Sequence, residues 1–453
     1  MVYNKIILSI NNAFTKVVSL VLKGIKRILP KKFSFYINKV ESNTAFHNII
    51  GLLFFNAIGG FLMILTQVKL ANYLGAYIYG IYAYVLAIGE IGANFVRYGR
   101  HKTMVRELVR FPKLQNDIIS NTFVLSLINI LIFISLILII HRYIEIDLSV
   151  TILLLIISPC FISLDFQPVY EKLKMMSWHS IYNLLQKAFF LIPIWIGILF
   201  SDKLSLSYIA IVTCISWTTV LIWQYKEISR IYSLSIFSRV NKLSLIQQYK
   251  DNALITICCF AGIAFGPIIR MILKHNADAS EVGIFSAGFQ LLILSQFILN
   301  QISRIGNPKM AEVCLPGYSF KLRLKFIRKY CVVMFLSVLP FTIALSFFSS
   351  EIVTHFYAQE YAKIADILPI FGFYLMVCSQ GVVFNQYMIS FKNDKAYFTI
   401  YITSAILSFI IAILLIPIFG LVGAAWAYCI ADGMASILYF SYFFFQSKKH
   451  AIN

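Results

Sequence analysis

From Ala45 to Val68 the chain runs 24 residues without one Asp, Glu, Lys or Arg. The stretches Ile118–Ile140, Leu148–Leu164, Leu204–Tyr225, Asn252–Ile269, Val282–Ser303, Tyr330–Ser350, Ile367–Phe391, Ala396–Ala431 and Gly433–Gln446 behave alike. About 20 apolar residues make a helix as long as the hydrocarbon core of a bilayer is thick. Strands of a membrane barrel are excluded, because they alternate over about ten residues instead of staying apolar for twenty. Charged residues make up 13% of the chain, against about 25% in soluble domains. The 39 Lys+Arg against 19 Asp+Glu give a formal charge of +20. In arms around a folded core that surplus would suit a nucleic-acid binder. Here it sits in short gaps between apolar runs, so no nucleic acid is expected and the chain reads as an all-α polytopic membrane protein.

Twelve spans are predicted, at 45–68, 79–97, 118–140, 149–170, 179–200, 206–225, 251–273, 282–303, 330–350, 366–391, 396–417 and 421–445. The last two share one apolar tract, which Pro417-Ile418-Phe419-Gly420 divides with turn chemistry. Tyr79-Gly80-Ile81-Tyr82-Ala83 at the start of span two matches Val282-Gly283-Ile284-Phe285-Ser286 at the start of span eight, 203 residues on. Two six-helix halves in the same orientation around a central cavity follow, an arrangement recurrent in transporters. The expected divisions are a basic amphipathic segment at 1–40, one half at 41–226, a cytoplasmic linker at 227–250, the other half at 251–446 and a tail at 447–453.

Orientation follows from Lys and Arg. With the N-terminus in the cytoplasm, inside segments hold 32 of them and outside segments only Lys69, Arg142, Lys203, Lys274 and Lys363. Acidic residues divide evenly, 8 inside and 8 outside, so both termini are expected in the cytoplasm. In segment 1–40, Ile7, Ile10, Phe14, Val17, Val21, Ile25 and Ile28 form one stripe, with Lys5, Lys16, Lys23 and Lys26 on the opposite side. That pattern suits a helix lying among anionic lipid head groups.

Signals of catalysis are nearly absent. The eight Cys form no C-x-x-C, the seven His have no metal-ligand spacing, and no Gly-rich phosphate loop or H-E-x-x-H occurs. The longest outside segment, from Glu351 to about Ala365, is some 15 residues, too short to house an extracytoplasmic catalytic domain. The layout suits passage better than reaction, with no cofactor beyond a coupling ion, H+ or Na+.

What remains is the ionisable residues inside spans: Glu90, Asp165, Lys187, Arg270 and Asp432. A charge there costs roughly 2.5 to 3.5 kcal/mol on insertion scales unless it faces protein or water, which makes each a functional candidate. Glu90, Asn94 and Arg97 share one face of span two, Asn183 and Lys187 one of span five, Gln296, Asn300 and Arg304 one of span eight, and Tyr428, Asp432 and Ser436 one of span twelve. Gly262, Gly266 and Arg270 form a stripe of small residues that ends in a cation. Structural alternatives stand beside these readings: snorkelling for Arg97, Arg304 and Arg270, an ion pair for Lys187, a helix-end hydrogen bond for Asp165, and partnership with the cations for Glu90 and Asp432.

The segment Leu164-Asp165-Phe166-Gln167-Pro168-Val169-Tyr170-Glu171-Lys172-Leu173-Lys174 resembles the aspartate–aromatic–Gln and Glu-Lys-x-Lys pattern of bacterial oligosaccharide repeat-unit flippases, including O-antigen translocases. These belong to the multidrug/oligosaccharidyl-lipid/polysaccharide exporter superfamily. Leu74-Gly75 through Tyr79-Gly80-Ile81-Tyr82, Gly89 to Gly92 and the basic run Arg97 to Arg106 look like the same family's first loop and second span. The tryptophan usual after the aspartate is Phe166 here. The resemblance implies a polyprenyl-pyrophosphate-linked oligosaccharide moved to the periplasmic leaflet of the inner membrane for O-antigen or capsule synthesis. It makes a polysaccharide polymerase and a chain-length regulator candidate partners of a monomeric transporter. A pyrophosphate needs cations facing a hydrated path. Lys187 and Arg270 are the expected cavity cations, Arg97 and Arg304 lie at the inner mouth, and Asn94 and Asn183 are the expected amide contacts. Glu90, Asp165 and Asp432 are candidates for coupling-ion binding or for holding those cations.

Two other readings compete: an ion-coupled exporter of cationic compounds from the same superfamily, which needs carboxylates to dominate its cavity, and a membrane polymerase or ligase, which the short outer loops disfavour. Topology reporters fused within 305–329 are expected to score as cytoplasmic; an external signal there overturns the orientation.

Overall fold

A computed structural model of the chain describes residues 44–100, 111–141, 148–173, 175–201, 204–232, 266–314, 317–390 and 394–452, with short pieces at 104–105, 107–108, 256–257 and 260–262. The amphipathic segment 1–40 and residues 233–250 of the expected linker lie outside the described residues. The described chain is a bundle of long apolar helices. The first, α1 (Thr44–Arg97), is helical throughout except at Gly75, whose φ of 75° and ψ of 160° break it. Its stretch Asn56–Arg97 alone has 42 residues, about 63 Å of helix at 1.5 Å per residue, twice the roughly 30 Å of a bilayer core. It therefore crosses twice, and where a loop is expected from 69 to 78 the chain reverses at one glycine in the left-handed region. The last helix does the same. Asp394–Ile452 breaks at Gly420 (φ 51°, ψ −123°), inside the turn that Pro417–Gly420 predicts, and it continues as helix through the stretch expected to be a tail.

Between them run α2 (Gln115–Ile140), α3 (Val150–Ile157), α4 (Gln167–Lys172), α5 (Met176–Phe200), α6 (Leu206–Tyr232), α7 (Pro267–Asn276), α8 (Ala279–Val313), α9 (Phe320–Phe347), α10 (Ser349–Phe356) and α11 (Ile364–Ser390); the final helix Asp394–Ile452 is α12. Among the described residues nine helical stretches are long and apolar enough to cross a membrane. With α1 and α12 each crossing twice, eleven of the twelve expected spans are accounted for.

Span four is not one continuous helix. After α3 comes a 3-10 segment, Ser158–Leu164, then Asp165 in extended conformation (φ −63°, ψ 137°), then α4. Pro159 and Pro168 explain the interruption, since proline removes an amide donor and clashes with the preceding turn. Span seven departs from expectation too, because α7 begins only at Pro267, behind Gly266 with φ −142° and ψ −68°. The stripe Gly262, Gly266, Arg270 is therefore not one face of an uninterrupted helix. The segment expected outside, from Glu351, holds most of α10 and a turn of 3-10 helix at Gln359–Tyr361. Helix α8 opens on Asp278, whose side chain takes the Ala279 amide at 2.7 Å and the Ser280 hydroxyl at 2.8 Å. These contacts, the Ser280 hydroxyl foremost, hold the Asp278 carboxyl below the usual carboxylate range.

The two halves meet where the sequence repeats. A Cβ on Gly80 would stand 1.7 Å from the Ala279 carbonyl oxygen, and one on Gly283 would stand 2.1 Å from that of Ala76. The contact is reciprocal, as a two-fold relation between halves requires. Around it, Asn72 donates to the Phe356 carbonyl at 2.7 Å and accepts from the Ala358 amide at 3.0 Å, while Tyr361 donates to the Ala71 carbonyl at 2.9 Å. Gly80→Ala and Gly283→Ala are expected to lower the thermal unfolding midpoint of the purified protein, each by the equivalent of about 1–3 kcal/mol of overpacking. Gly60→Ala, whose Cβ would meet only Phe297 at 3.9 Å, is expected to leave it unchanged or raised.

Candidate functional site

Helix α8 runs away from the crossing and lines two cavities in turn. Nearest to Gly283, a cavity of about 310 Å³ is bordered by Ser286, Phe289, Gln290 and Ile293 of α8, Glu90, Gly262, Gly266, Arg270 and Tyr428. Further along, a cavity of about 510 Å³ is bordered by Phe297, Asn300, Gln301 and Ser303 of α8, with Asn56, Gly60, Gln167, His179, Ser180, Asn183 and Lys187. From Gly283 to Asn300 is about 26 Å along the axis. One helix therefore orders a close backbone contact, a charged chamber and an amide-lined chamber along its length.

In the first chamber Arg270, one turn into α7, donates through Nη2 to Glu90 Oε2 across the two halves. Cation and carboxylate answer each other, which is the partnership considered for Glu90. Asn94 turns its amide onto the Glu90 carbonyl of its own helix at 3.0 Å. Asp432 accepts from the Tyr374 hydroxyl, which itself takes Gln296 Nε2 at 3.1 Å. Tyr374 packs edge-on against Tyr428 at 5.3 Å, so the Asp432 cluster abuts the wall of the first chamber. Ser436, expected on the same polar face, bonds back to the Asp432 carbonyl at 3.1 Å and fills the space beside Gly381 instead.

In the second chamber Lys187 carries no hydrogen bond or ion pair among the described residues. Its stem lies over Gly59, where a Cβ would stand 3.0 Å from Lys187 Cδ and 3.3 Å from Nζ. The structural ion pair considered for it is not formed there, and every other polar side chain bordering the chamber is an amide, a hydroxyl or an imidazole. Asn183 borders it as expected. Arg97 does not: it borders a separate pocket of about 70 Å³ with Arg100, Asp165, Gln167 and three hydroxyl residues. Glu90 and Arg97, which share a helix face, thus open into different cavities. Arg304 lies within α8, and its side chain is outside the described residues.

Sequence reasoning passed over His179, which accompanies the other histidines as scattered. Its signal was present: His179, Asn183 and Lys187 recur every four residues and stack on one face. His179 Nε2 is 2.8 Å from Asp165 Oδ2, which makes Asp165 the hydrogen-bonding residue of a helix break. Gln301 and Gly59 were not among the expected site residues, and Gln167 stood there only as part of the family pattern.

Among the described residues, eleven crossings arranged as two halves that touch at Gly80 and Gly283 and border polar cavities define a multi-pass membrane protein. Residues 45–311 match the family described as "Polysaccharide biosynthesis protein"; this is more than half of the chain, and the chain belongs to that family. Capsular polysaccharide biosynthesis protein CapF of Staphylococcus aureus is 24% identical over 282 residues, 60% of this chain and 68% of that one. Among solved structures, a multidrug resistance MATE family transporter of the MOP superfamily in an inward-facing conformation superposes with a TM-score of 0.69 at 12% identity, covering 88% of this chain and 95% of that one. The lipid II flippase MurJ, in an inward closed conformation, gives 0.68 at 13% identity, with 86% and 87% covered. An outward-facing MATE transporter gives 0.59 at 9%, with 91% and 98% covered. At such identities the likeness is one of fold.

Removing one partner of the Arg270–Glu90 pair leaves the other charge uncompensated. Arg270→Glu and Glu90→Arg are each expected to lower the thermal unfolding midpoint, and the double exchange to recover part of the loss. Additive losses in the double variant would show that the two side chains do not act as a pair.

Proposed function

We propose that the chain carries a polyprenyl-pyrophosphate-linked oligosaccharide across the bacterial inner (plasma) membrane by alternating access, from the cytoplasmic to the outer leaflet, for surface polysaccharide synthesis. The observation that carries this reading is the amide-lined chamber around Lys187. Amides and hydroxyls supply the donors and acceptors that a sugar head group needs, and an ammonium without a carboxylate partner is free to meet a phosphate. Arg270 forms the second cationic position, held back by Glu90 until an anion competes for it. The lipid tail stays in the bilayer alongside. Under the orientation given by the Lys/Arg bias, the Gly80–Gly283 seal lies on the outer side and the Lys187 chamber toward the cytoplasm, the side on which the substrate is loaded.

The family membership and the capsule-synthesis relative support a polymer at the cell surface, capsule or O-antigen, with its polymerase and chain-length regulator as partners. The rival reading, an exporter of cationic compounds, is disfavoured by the disposition of the carboxylates: Glu90 faces Arg270, Asp165 faces His179 and Asp432 faces Tyr374. No carboxylate borders the larger polar chamber. Asp432 and Asp165 are the groups we assign to a coupling ion, H+ or Na+.

Lys187→Ala at unchanged protein level, and Arg270→Ala when normalised to protein level, are expected to abolish export of the surface polysaccharide, measured by immunoblot of cells whose only copy is the variant. Wild-type polymer in both variants removes the assignment of the cavity cations.

A further inference from the structure

Asp165 occupies the extended residue between the two pieces of span four, and its Oδ2 lies 2.8 Å from His179 Nε2. The pair stands in a partition. His179 borders the 510 Å³ chamber of Lys187, Asp165 borders the 70 Å³ pocket of Arg97, and Gln167 borders both. The imidazole is only 3% exposed, and Asp165 Oδ1 is buried with no hydrogen-bond partner among the described residues. On the far side of the ring, Asn183 Nδ2 is 3.4 Å from His179 Nδ1. The other groups facing the pair are the Tyr170 ring, 5.7 Å from the imidazole and bonded through its hydroxyl to Glu227, Arg97 and Arg100 in the pocket of Asp165, Arg100 also standing 3.6 Å from Glu107, and Lys187 two turns along α5.

We infer that His179 and Asp165 form a proton-binding pair built into this partition, and that Asn183 passes its state to the chamber of Lys187. The inference rests on the head-group reading above. With Asn183 donating to Nδ1, that nitrogen is an acceptor, and the single ring proton sits on Nε2 toward Asp165. A proton taken from cavity water onto Nδ1 turns the acceptor into a donor. The Asn183 amide then faces a donor with a donor, so it rotates, accepts through Oδ1 and turns its NH2 group away from the ring. The rotation frees the N–H that the ring had held, one turn below Lys187, and the imidazolium places a further positive charge in the chamber wall beside the Asp165 carboxylate. Proton and anionic head group therefore strengthen each other's binding, and the coupling is reciprocal.

The test uses the full chain in nanodiscs with undecaprenyl pyrophosphate as probe, and binding is measured between about pH 5 and 8, where an imidazole changes charge. Wild-type affinity is expected to fall with rising pH by on the order of five-fold or more, the lower range of couplings between sites. His179→Gln, which keeps a hydrogen-bonding side chain but cannot titrate, is expected to show only the gain in affinity with rising pH that the probe's own loss of a phosphate proton near pH ~6 gives. A wild-type slope in His179→Gln, or a wild-type profile that matches the variant's, overturns the inference. Nitrogen-15 NMR of histidine-labelled protein supplies a readout independent of binding. The imidazole signal absent from His179→Gln is expected to titrate in the wild type and in Asn183→Ala, while the binding slope in Asn183→Ala shrinks to the part that the imidazolium charge supplies. A signal that does not titrate overturns the pair, and an undiminished slope in Asn183→Ala overturns the role of the amide. Lys187→Ala separates the two readings: wild-type binding there sinks the head-group assignment, whereas the NMR titration judges the proton pair on its own.

Discussion

The approach of two helix backbones at Gly80 and Gly283 governs the rest of the molecule. In lipid no hydrophobic force drives helices together, so close packing of small residues and interhelical hydrogen bonds must hold them. Here the spacing is so tight that any side chain would fall on the opposing carbonyl oxygens of Ala279 and Ala76. Because α1 and α8 touch at that level, they can diverge below it, and the polar chambers occupy the space between them. The order found along α8, from crossing to Arg270–Glu90 to Lys187, is a consequence of where those two glycines lie.

The second constraint is that backbone polar groups inside a bilayer must be satisfied, so that irregular backbone survives only against protein or water. Both interruptions within spans meet it. The break at Asp165 sits between two polar cavities, and the break at Gly266 borders the chamber of Arg270. Each is followed within a few residues by a proline that starts the next helix, Pro168 or Pro267. Asp165 and Arg270 lie at or within one turn of these points, where side chains are aimed by a turn instead of by an unbroken helical face.

How much could be read in advance follows from these two facts. Uncharged runs of twenty residues leave no alternative to spanning helices, so the bundle and eleven of the twelve expected spans were legible. The repeat around Gly80 and Gly283 was visible as five aligned residues, but its meaning as a contact was not, because a match in sequence carries no distance. Periodicity placed Asn183 and Lys187 on one face correctly, yet it also joined Glu90 to Arg97 and Asp432 to Ser436, which the packing separates. A helical wheel knows the face of its own helix and nothing of the neighbour that divides that face into two cavities. Span seven misled for a related reason: a run of apolar residues reads as continuous helix, and only Gly266-Pro267 hinted otherwise.

The hydrogen bonds that tie the two halves beside the glycine crossing all join uncharged groups: the Asn72 amide with the backbone at Phe356 and Ala358, and the Tyr361 hydroxyl with the Ala71 carbonyl. The nearby Lys363–Glu281 ion pair links two elements of the same half. These three hydrogen bonds carry no charge for dissolved ions to screen and no group that titrates in ordinary waters. Under the proposed orientation they face the cell exterior, a compartment whose salinity and acidity a bacterium does not control, and they hold equally well in dilute and in saline surroundings.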